Sequence, residues 1–238
     1  GLGTQRQPSA LFNGMLAPLQ PYAIRGNLWY QGEANWDRPA EYAELFPAMI
    51  KAWREQWGQG DFPFYFVQLP NYTDERDPTL QGWPWIREAQ SSALHLPNTG
   101  MAVTIDSGDN ADIHPQNKPI VGHRLARIAA AKTYDLTVDC SGPEFVSAER
   151  ENTTLRVRFN HADTGLVAKG EALQSFLVAG PDQVFHPAHA TIDGSTVIVQ
   201  SPAVTEPVAV RYAWNNIPQA NLYNQAGLPA APFRSDHQ

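Results

Sequence analysis

Phe62-Pro63-Phe64-Tyr65-Phe66-Val67-Gln68-Leu69 decides the fold. The run is almost continuously apolar and shows no alternation, so neither face of a strand built from it would meet water. A strand covered on both faces needs helices on either side, and the flanking sequence supplies them. Upstream, Gly26-Asn27-Leu28-Trp29-Tyr30 reads as a buried strand ended by the turn residues Gln31-Gly32-Glu33-Ala34-Asn35. Between the two, Tyr42, Phe46, Met49, Ile50, Trp53 and Trp57 fall on one 3.6-period stripe, with Asp37 placed to cap a helix, Pro39 in its first turn and Gly58 past its end.

Downstream, Asn71 to Gly82 is a polar loop, and Pro84 opens a second helix with Ile86, Ala89, Ala93 and Leu94 inside. Met101 to Ile105 is a third apolar strand. A third helix, Gln116 to Lys132, turns Ile120, Val121, Leu125, Ile128 and Ala129 inward and leaves Arg124, Arg127 and Lys132 outside. Strand and helix alternating three times predict a parallel sheet with helices on its faces. Three strands are few for this class, since sheets usually have about four to six. The short apolar segment Leu11 to Tyr22, broken by Pro18 and Pro21, packs as a brief helix or turn before the first strand.

The pattern changes near Cys140-Ser141-Gly142-Pro143. Leu155, Val157 and Phe159 alternate with polar residues, as do Ile192, Val197 and Val199 around Asp193-Gly194, and again Val208, Val210 and Tyr212. Period-2 segments between Gly, Pro and Asp signals indicate a small antiparallel β-sandwich. The expected division is an α/β domain over 1–138 and a sandwich over 139–238.

Bulk properties narrow the function. With 238 residues, 42% of them hydrophobic, the chain can bury a substantial core. A net charge of −7 and a pI near 5.4 argue against a nucleic-acid partner, which needs a basic face. No apolar stretch approaches the roughly 20 residues of a membrane span, and the single cysteine, Cys140, excludes an internal disulfide framework or a Cys-based metal cluster. No Gly-rich phosphate loop follows a strand, which argues against a nucleotide enzyme. Gly1 to Pro8 has no initiator Met and no signal-peptide core, and reads as a loop cut open, as in a processed or truncated chain.

Chemistry concentrates at the carboxyl ends of the expected strands, where ligands of such sheets sit. In Asp112-Ile113-His114-Pro115 a carboxylate can fix one imidazole tautomer, and a helix beginning near Pro115 favours neutral His114, the base form. The bland reading is an ordinary helix N-cap. Asp106 and Asp109 can reach the same turn, with Asp112 preferred and Asp109 in reserve. In the turn after the first strand, Gln31 and Asn35 carry amides and Gly32 lets a backbone N–H approach a ligand, donors suited to an oxyanion, while Glu33 can contact substrate. Its bland reading is a solvated strand end. A base needs a nucleophile, and no serine lies in Gly-x-Ser-x-Gly or Gly-Asp-Ser; neither Ser9 nor Ser107 has a suitable context. His95, His123, His161, His186 and His189 read as structural positions without metal spacing.

Several ordered stretches together resemble the sialate O-acetylesterase-like carbohydrate esterases of the SGNH hydrolase superfamily. They are Leu11 to Leu19 (LFNGMLAPL), Trp29 to Asn35 (WYQGEAN), Arg87-Glu88-Ala89-Gln90, Asp112-Ile113-His114-Pro115 with Asn117-Lys118, Val210 to Trp214 and Asn221-Leu222. The resemblance implies a flavodoxin-like α/β hydrolase that removes O-acetyl groups from sugars without a metal or other cofactor. It makes His114 the base, Asp112 its orienting acid, Gln31 and Gly32 part of an oxyanion hole, and Glu33 and Asn35 substrate contacts. Two departures stand out. The family's nucleophilic serine lies in a Gly-Gln-Ser-Asn type motif after the first strand, which this chain lacks, and Asp-x-His is one residue shorter than the usual Asp-x-x-His of the superfamily. A companion N-terminal fragment of the same polypeptide, sharing the sheet, would supply the serine. The substrate would be an acetylated carbohydrate, sialic acid or a plant polysaccharide such as xyloglucan or xylan, with a periplasmic or extracellular location expected from that class. The competing reading is an inactive carbohydrate-binding or scaffold module.

Overall fold

The computed structural model describes residues 7–236. Gly1 to Arg6, most of the expected opening loop, lie outside the described residues. The first half alternates β1 (Asn27–Trp29), α1 (Pro39–Trp57), β2 (Phe64–Gln68), α2 (Gly82–Ser91), β3 (Thr99–Val103) and α3 (Lys118–Tyr134). The three strands form one parallel sheet in the order β1-β2-β3, with Asn27 opposite Phe64 and Phe64 opposite Thr99. Every residue of β2 is buried, as its almost continuously apolar run requires, Gln68 included.

The helices cover the two faces. Phe64, Phe66 and Leu69 pack with Tyr42, Phe46 and Ile50 of α1 and with Trp83, Ile86 and Ala89 of α2. On the other face Tyr65, Val67 and Ala102 pack with Val121, Leu125 and Ile128 of α3. Alternate residues of one strand thus serve two apolar layers.

Local details depart from the expectations. Leu28 is 62% exposed, because β1 is the sheet edge and not a buried strand. Helix α1 takes Arg38 as its N-cap, and Asp37 only ion-pairs with that arginine at 3.7 Å; Gly58 ends the helix in the left-handed region as expected. The ladder of β3 runs Thr99–Val103, two residues earlier than the apolar run, with Thr104 and Ile105 buried beyond it. Helix α3 starts at Lys118, with Asn117 at its N-cap position but no side-chain cap bond, not near Pro115. Arg124 lies buried on its inner side, and was expected outside. Leu11 to Tyr22 does form short π-helical and 3-10 turns (Phe12–Leu16, Ala17–Leu19), but Leu11, Met15, Leu19 and Tyr22 are exposed instead of packed.

The second half is antiparallel: β4 (Glu144–Glu151), β5 (Thr154–Asn160), β6 (Leu166–Ala168), β7 (Phe176–Ala179), β8 (Phe185–Pro187), β9 (His189–Asp193), β10 (Thr196–Gln200), β11 (Ala209–Tyr212), β12 (Leu222–Asn224) and β13 (Phe233–Arg234). One sheet runs β4-β5-β10-β9, another β13-β11-β7-β8, and β12 pairs with β6. Leu155, Val157, Val197 and Val199 of the first sheet meet Phe176, Val178, Val210 and Tyr212 of the second in a single core.

Candidate active site

Because the three strands are parallel, the segments that follow them leave from one edge. Tyr30 to Asn35, Leu69 to Gln81 and Thr104 to Asn117 all lie at that carboxyl edge. In the third segment, the Asp112 carboxylate accepts the His114 backbone N–H at 2.8 Å and stands 3.7 Å from the His114 Nδ1. The imidazole is 85% exposed and the Asp112 side chain 48% exposed. His114 precedes the first residue of α3 by four positions, so the helix dipole acts on it less than a turn adjoining the helix would allow.

The other two aspartates of this loop are engaged elsewhere. Asp106 accepts Arg124 Nη1 and Nη2 at 2.6 and 2.8 Å and the Tyr223 hydroxyl at 2.9 Å. Burial pushes its carboxyl up, and these donors more than offset that, leaving it below the usual carboxylate range. Asp109 caps the Ala111 N–H at 2.9 Å. Ser107 is buried, its hydroxyl donating to the Thr104 carbonyl.

In the first segment, Gln31 Nε2 donates to Asn35 Oδ1 at 2.8 Å. The Gln31 carbonyl accepts from Gln90 Nε2 at 3.0 Å and from the Tyr42 hydroxyl at 3.2 Å. Gly32 has φ +152°, and a Cβ there would stand 2.9 Å from Gln90 Nε2 and 3.3 Å from Leu69, so only glycine fits this turn. Glu33 opens a 3-10 turn, Glu33–Asn35. Its charge, after burial as the larger cause, helps push the Tyr30 hydroxyl up to about 12.

The structure therefore pairs Asp112 with His114 and Gln31 with Asn35. Among the described residues no hydrogen bond joins one cluster to the other. They meet through Lys118, whose ammonium lies 5.0 Å from the Tyr30 ring centre, and through Ile113, which packs on the same apolar layer as Tyr30, Trp36 and Tyr72. The middle segment is tied to the third, the Thr73 N–H donating to the Asn110 carbonyl at 2.9 Å.

Two residues that supply this order had no individual role in the sequence reading. Gln90 bridges β2 and the first segment, accepting the Leu69 N–H at 2.9 Å while donating to Gln31. Arg87, wholly buried, donates to the carbonyls of Leu69, Pro70, Asn215 and Asn216 at 2.8–2.9 Å. Burial pulls its guanidinium down to about 9, so it stays charged at neutral pH. The signal was present: Arg87 and Gln90 interrupt the inward stripe of Ile86, Ala89 and Ala93, where a polar side chain must have a buried partner. Among the described residues no group of three or more His, Cys, Asp or Glu is arranged to hold a metal ion.

Known proteins share this arrangement of elements. The family model described as carbohydrate esterase, sialic acid-specific acetylesterase, matches residues 6–131. The sialate O-acetylesterases of Mus musculus and Homo sapiens are 32% and 30% identical over 94% of this chain, covering 47% and 48% of those proteins. A crystal structure of a carbohydrate acetylesterase from Xanthomonas citri superposes with a TM-score of 0.89 at 46% identity, over 96% of this chain and 54% of that one. The chain thus spans about half the length of the proteins it matches. With the family model covering more than half of its residues, the chain belongs to the sialic acid-specific acetylesterase family of carbohydrate esterases.

Proposed function

We propose that this chain forms part of a serine esterase of the SGNH type that removes O-acetyl groups from carbohydrates. Residues 1–138 belong to its hydrolase domain and 139–238 to its sandwich domain. His114 is the base, Asp112 orients it, Gln31 and Gly32 contribute to the oxyanion hole, and Glu33 and Asn35 contact the sugar. The observation that carries this reading is the placement of two polar turns at one edge of a parallel sheet, one with a carboxylate beside an exposed imidazole, the other with a glycine-only turn.

The serine comes from a companion N-terminal segment of the same polypeptide. Support for that segment's place is the free edge of β1, which among the described residues pairs only with β2 and leaves Leu28 open. An unpaired parallel edge with an exposed apolar side chain invites a further strand. The serine hydroxyl gives its proton to His114 as its oxygen attacks the acetyl carbonyl. The resulting oxyanion is held by N–H donors of the Gln31-Gly32 turn. Collapse expels the sugar oxygen, which takes the proton from His114, and an acetyl-serine remains. Water, losing a proton to His114, then releases acetate and the serine.

Sialic acids and acetylated plant polysaccharides both fit this chemistry, because the machinery acts on the ester. Export to the periplasm or beyond follows from either class; no helix among the described residues is long and apolar enough to cross a membrane. In the complete polypeptide, His114→Ala should lower acetate release from a panel of acetylated sugars by about 10³-fold or more. A near-normal rate removes His114 from the mechanism, and a folded wild type with no release from any substrate favours the inactive-module reading.

A further inference from the structure

The hydrolytic scheme leaves one stretch of the β region unused. Residues 215–223, which lead from β11 into β12, run against the segments at the carboxyl edge of the parallel sheet. The Asn215 and Asn216 carbonyls accept from Arg87 at 2.8 and 2.9 Å. Asn216, wholly buried, donates through Nδ2 to Asp77 at 3.0 Å, accepts the Trp83 N–H at 2.9 Å, and donates its own N–H to the Leu80 carbonyl at 2.8 Å. The Pro218 carbonyl accepts from Asn71 Nδ2 at 3.1 Å. Tyr223 donates its hydroxyl to Asp106.

This stretch touches the segment after β2 and the segment after β3 directly. It reaches the turn after β1 through Gly82, which is packed so closely on the Trp36 ring that a Cβ would stand 2.5 Å from it. Tyr223 is itself anchored from behind. Its backbone pairs with Val167 of β6, and the Lys169 ammonium lies 3.5 Å from its ring centre.

The loop that needs such an anchor is the one carrying His114. No ring nitrogen of His114 makes a hydrogen bond among the described residues, and the imidazole is exposed, so its position follows the backbone of residues 106–114. Within that stretch Ser107, Asp109 and Asp112 bond mainly to residues two or three away. Long-range anchorage comes from the Thr73–Asn110 contact, from Gly108 packed on the Asn71 backbone, from Ile113 in the apolar layer, and from Asp106, clamped at the start of the loop between Arg124 of α3 and Tyr223 of the β region. A hydrogen bond to a charged group in a buried setting is among the stronger single restraints available.

We infer that Tyr223 is a positioning residue for ester hydrolysis: by holding Asp106 it sets the base of the loop that presents Asp112 and His114. The inference rests on His114 acting as the base. It makes the β region a working part of the active site and not an appended module.

Tyr223→Phe removes one hydroxyl and keeps the ring, so the β region should fold around it. In the complete polypeptide, kcat should fall about tenfold on both 4-nitrophenyl acetate and 9-O-acetylated sialic acid, with KM within about twofold. Loss on an ester without a sugar separates positioning from sugar binding. Amide exchange of residues 107–113 should accelerate about tenfold while β5 and β10 keep their protection. An unchanged kcat, or acceleration shared equally by β5 and β10, overturns the inference, the second because it marks global loosening. His114→Ala is run alongside: if it stays active the base assignment fails, and the exchange data still decide whether Tyr223 holds the loop.

Discussion

Three arginines of the α/β half, Arg54, Arg87 and Arg124, point inward and are buried, whereas Arg150, Arg156 and Arg158 of the β half lie on its outer faces in ion pairs. The inward ones share a habit. Arg54 donates to the Phe62 and Pro97 carbonyls, just before β2 and β3; Arg87 takes the Leu69 and Pro70 carbonyls just after β2; Arg124 takes the Val103 carbonyl at the end of β3. Each closes a strand end. Parallel strands need long crossovers, so no tight turn satisfies the carbonyls where the chain leaves the sheet. Antiparallel hairpins solve that locally: β9 and β10 pair down to Asp193 and Thr196, and the charges outside pair with one another at the surface. The three-stranded sheet is thus pinned at its ends by cations, and the carboxyl-edge pins also shape the candidate site.

The sharpest break of that comparison is Arg87→Met, which keeps bulk and removes the donors. It should destabilise the protein by about 3–5 kcal/mol, the cost of leaving buried polar groups without partners. Urea unfolding measures it, and a loss below about 1 kcal/mol would sink the pinning account. Asp106→Asn comes next, at about 2–3 kcal/mol near neutral pH, since a charge-assisted pair to Arg124 becomes a neutral one. Here pH adds a second handle. The folded carboxyl sits below its ordinary value, so its contribution is full above about pH 5 and is lost as pH falls through the folded value. The gap between wild type and Asp106→Asn should therefore narrow at about pH 3; equal gaps at pH 7 and pH 3 would contradict a depressed carboxyl.

These pins also mark where the sequence stopped being legible. Periodicity found all three parallel strands and their helices, because β2 is apolar but for Gln68 and α1 carries an aromatic stripe. It placed both polar turns at one edge, since strand order alone determines that. It put Arg124 outside because a charge on a helix is usually solvated; only the fold shows that the Arg124 position faces the Asp106 loop. The start of α3 lies two residues later than Gln116, since the apolar stripe is still ambiguous there; Asn117 before Lys118-Pro119 marks the boundary by residue type, although its side chain makes no cap bond. Leu28 looked buried because an edge strand and a central strand have the same composition when helices cover both faces. The Tyr223 contact with Asp106 spans 117 residues, beyond any local pattern.

The smallest effect should come from the β half, and it tests the comparison from the other side. Arg158 lies 3.4 Å from Glu149 on the neighbouring strand, with the two side chains 49% and 57% exposed. Water already solvates both charges, salt screens what attraction remains, and holding two long side chains together costs rotamer entropy. Arg158→Ala should therefore change stability by less than about 1 kcal/mol, and that difference should shrink further between low and high salt. The same salt series on Arg87→Met should leave its larger loss nearly untouched, because among the described residues no carboxylate pairs with Arg87 and its carbonyl partners at Leu69, Pro70 and Asn216 are buried. If Arg158→Ala proved as costly as Arg87→Met, exposure would not be what separates the two halves, and the role given to inward arginines at the strand ends would lose its basis.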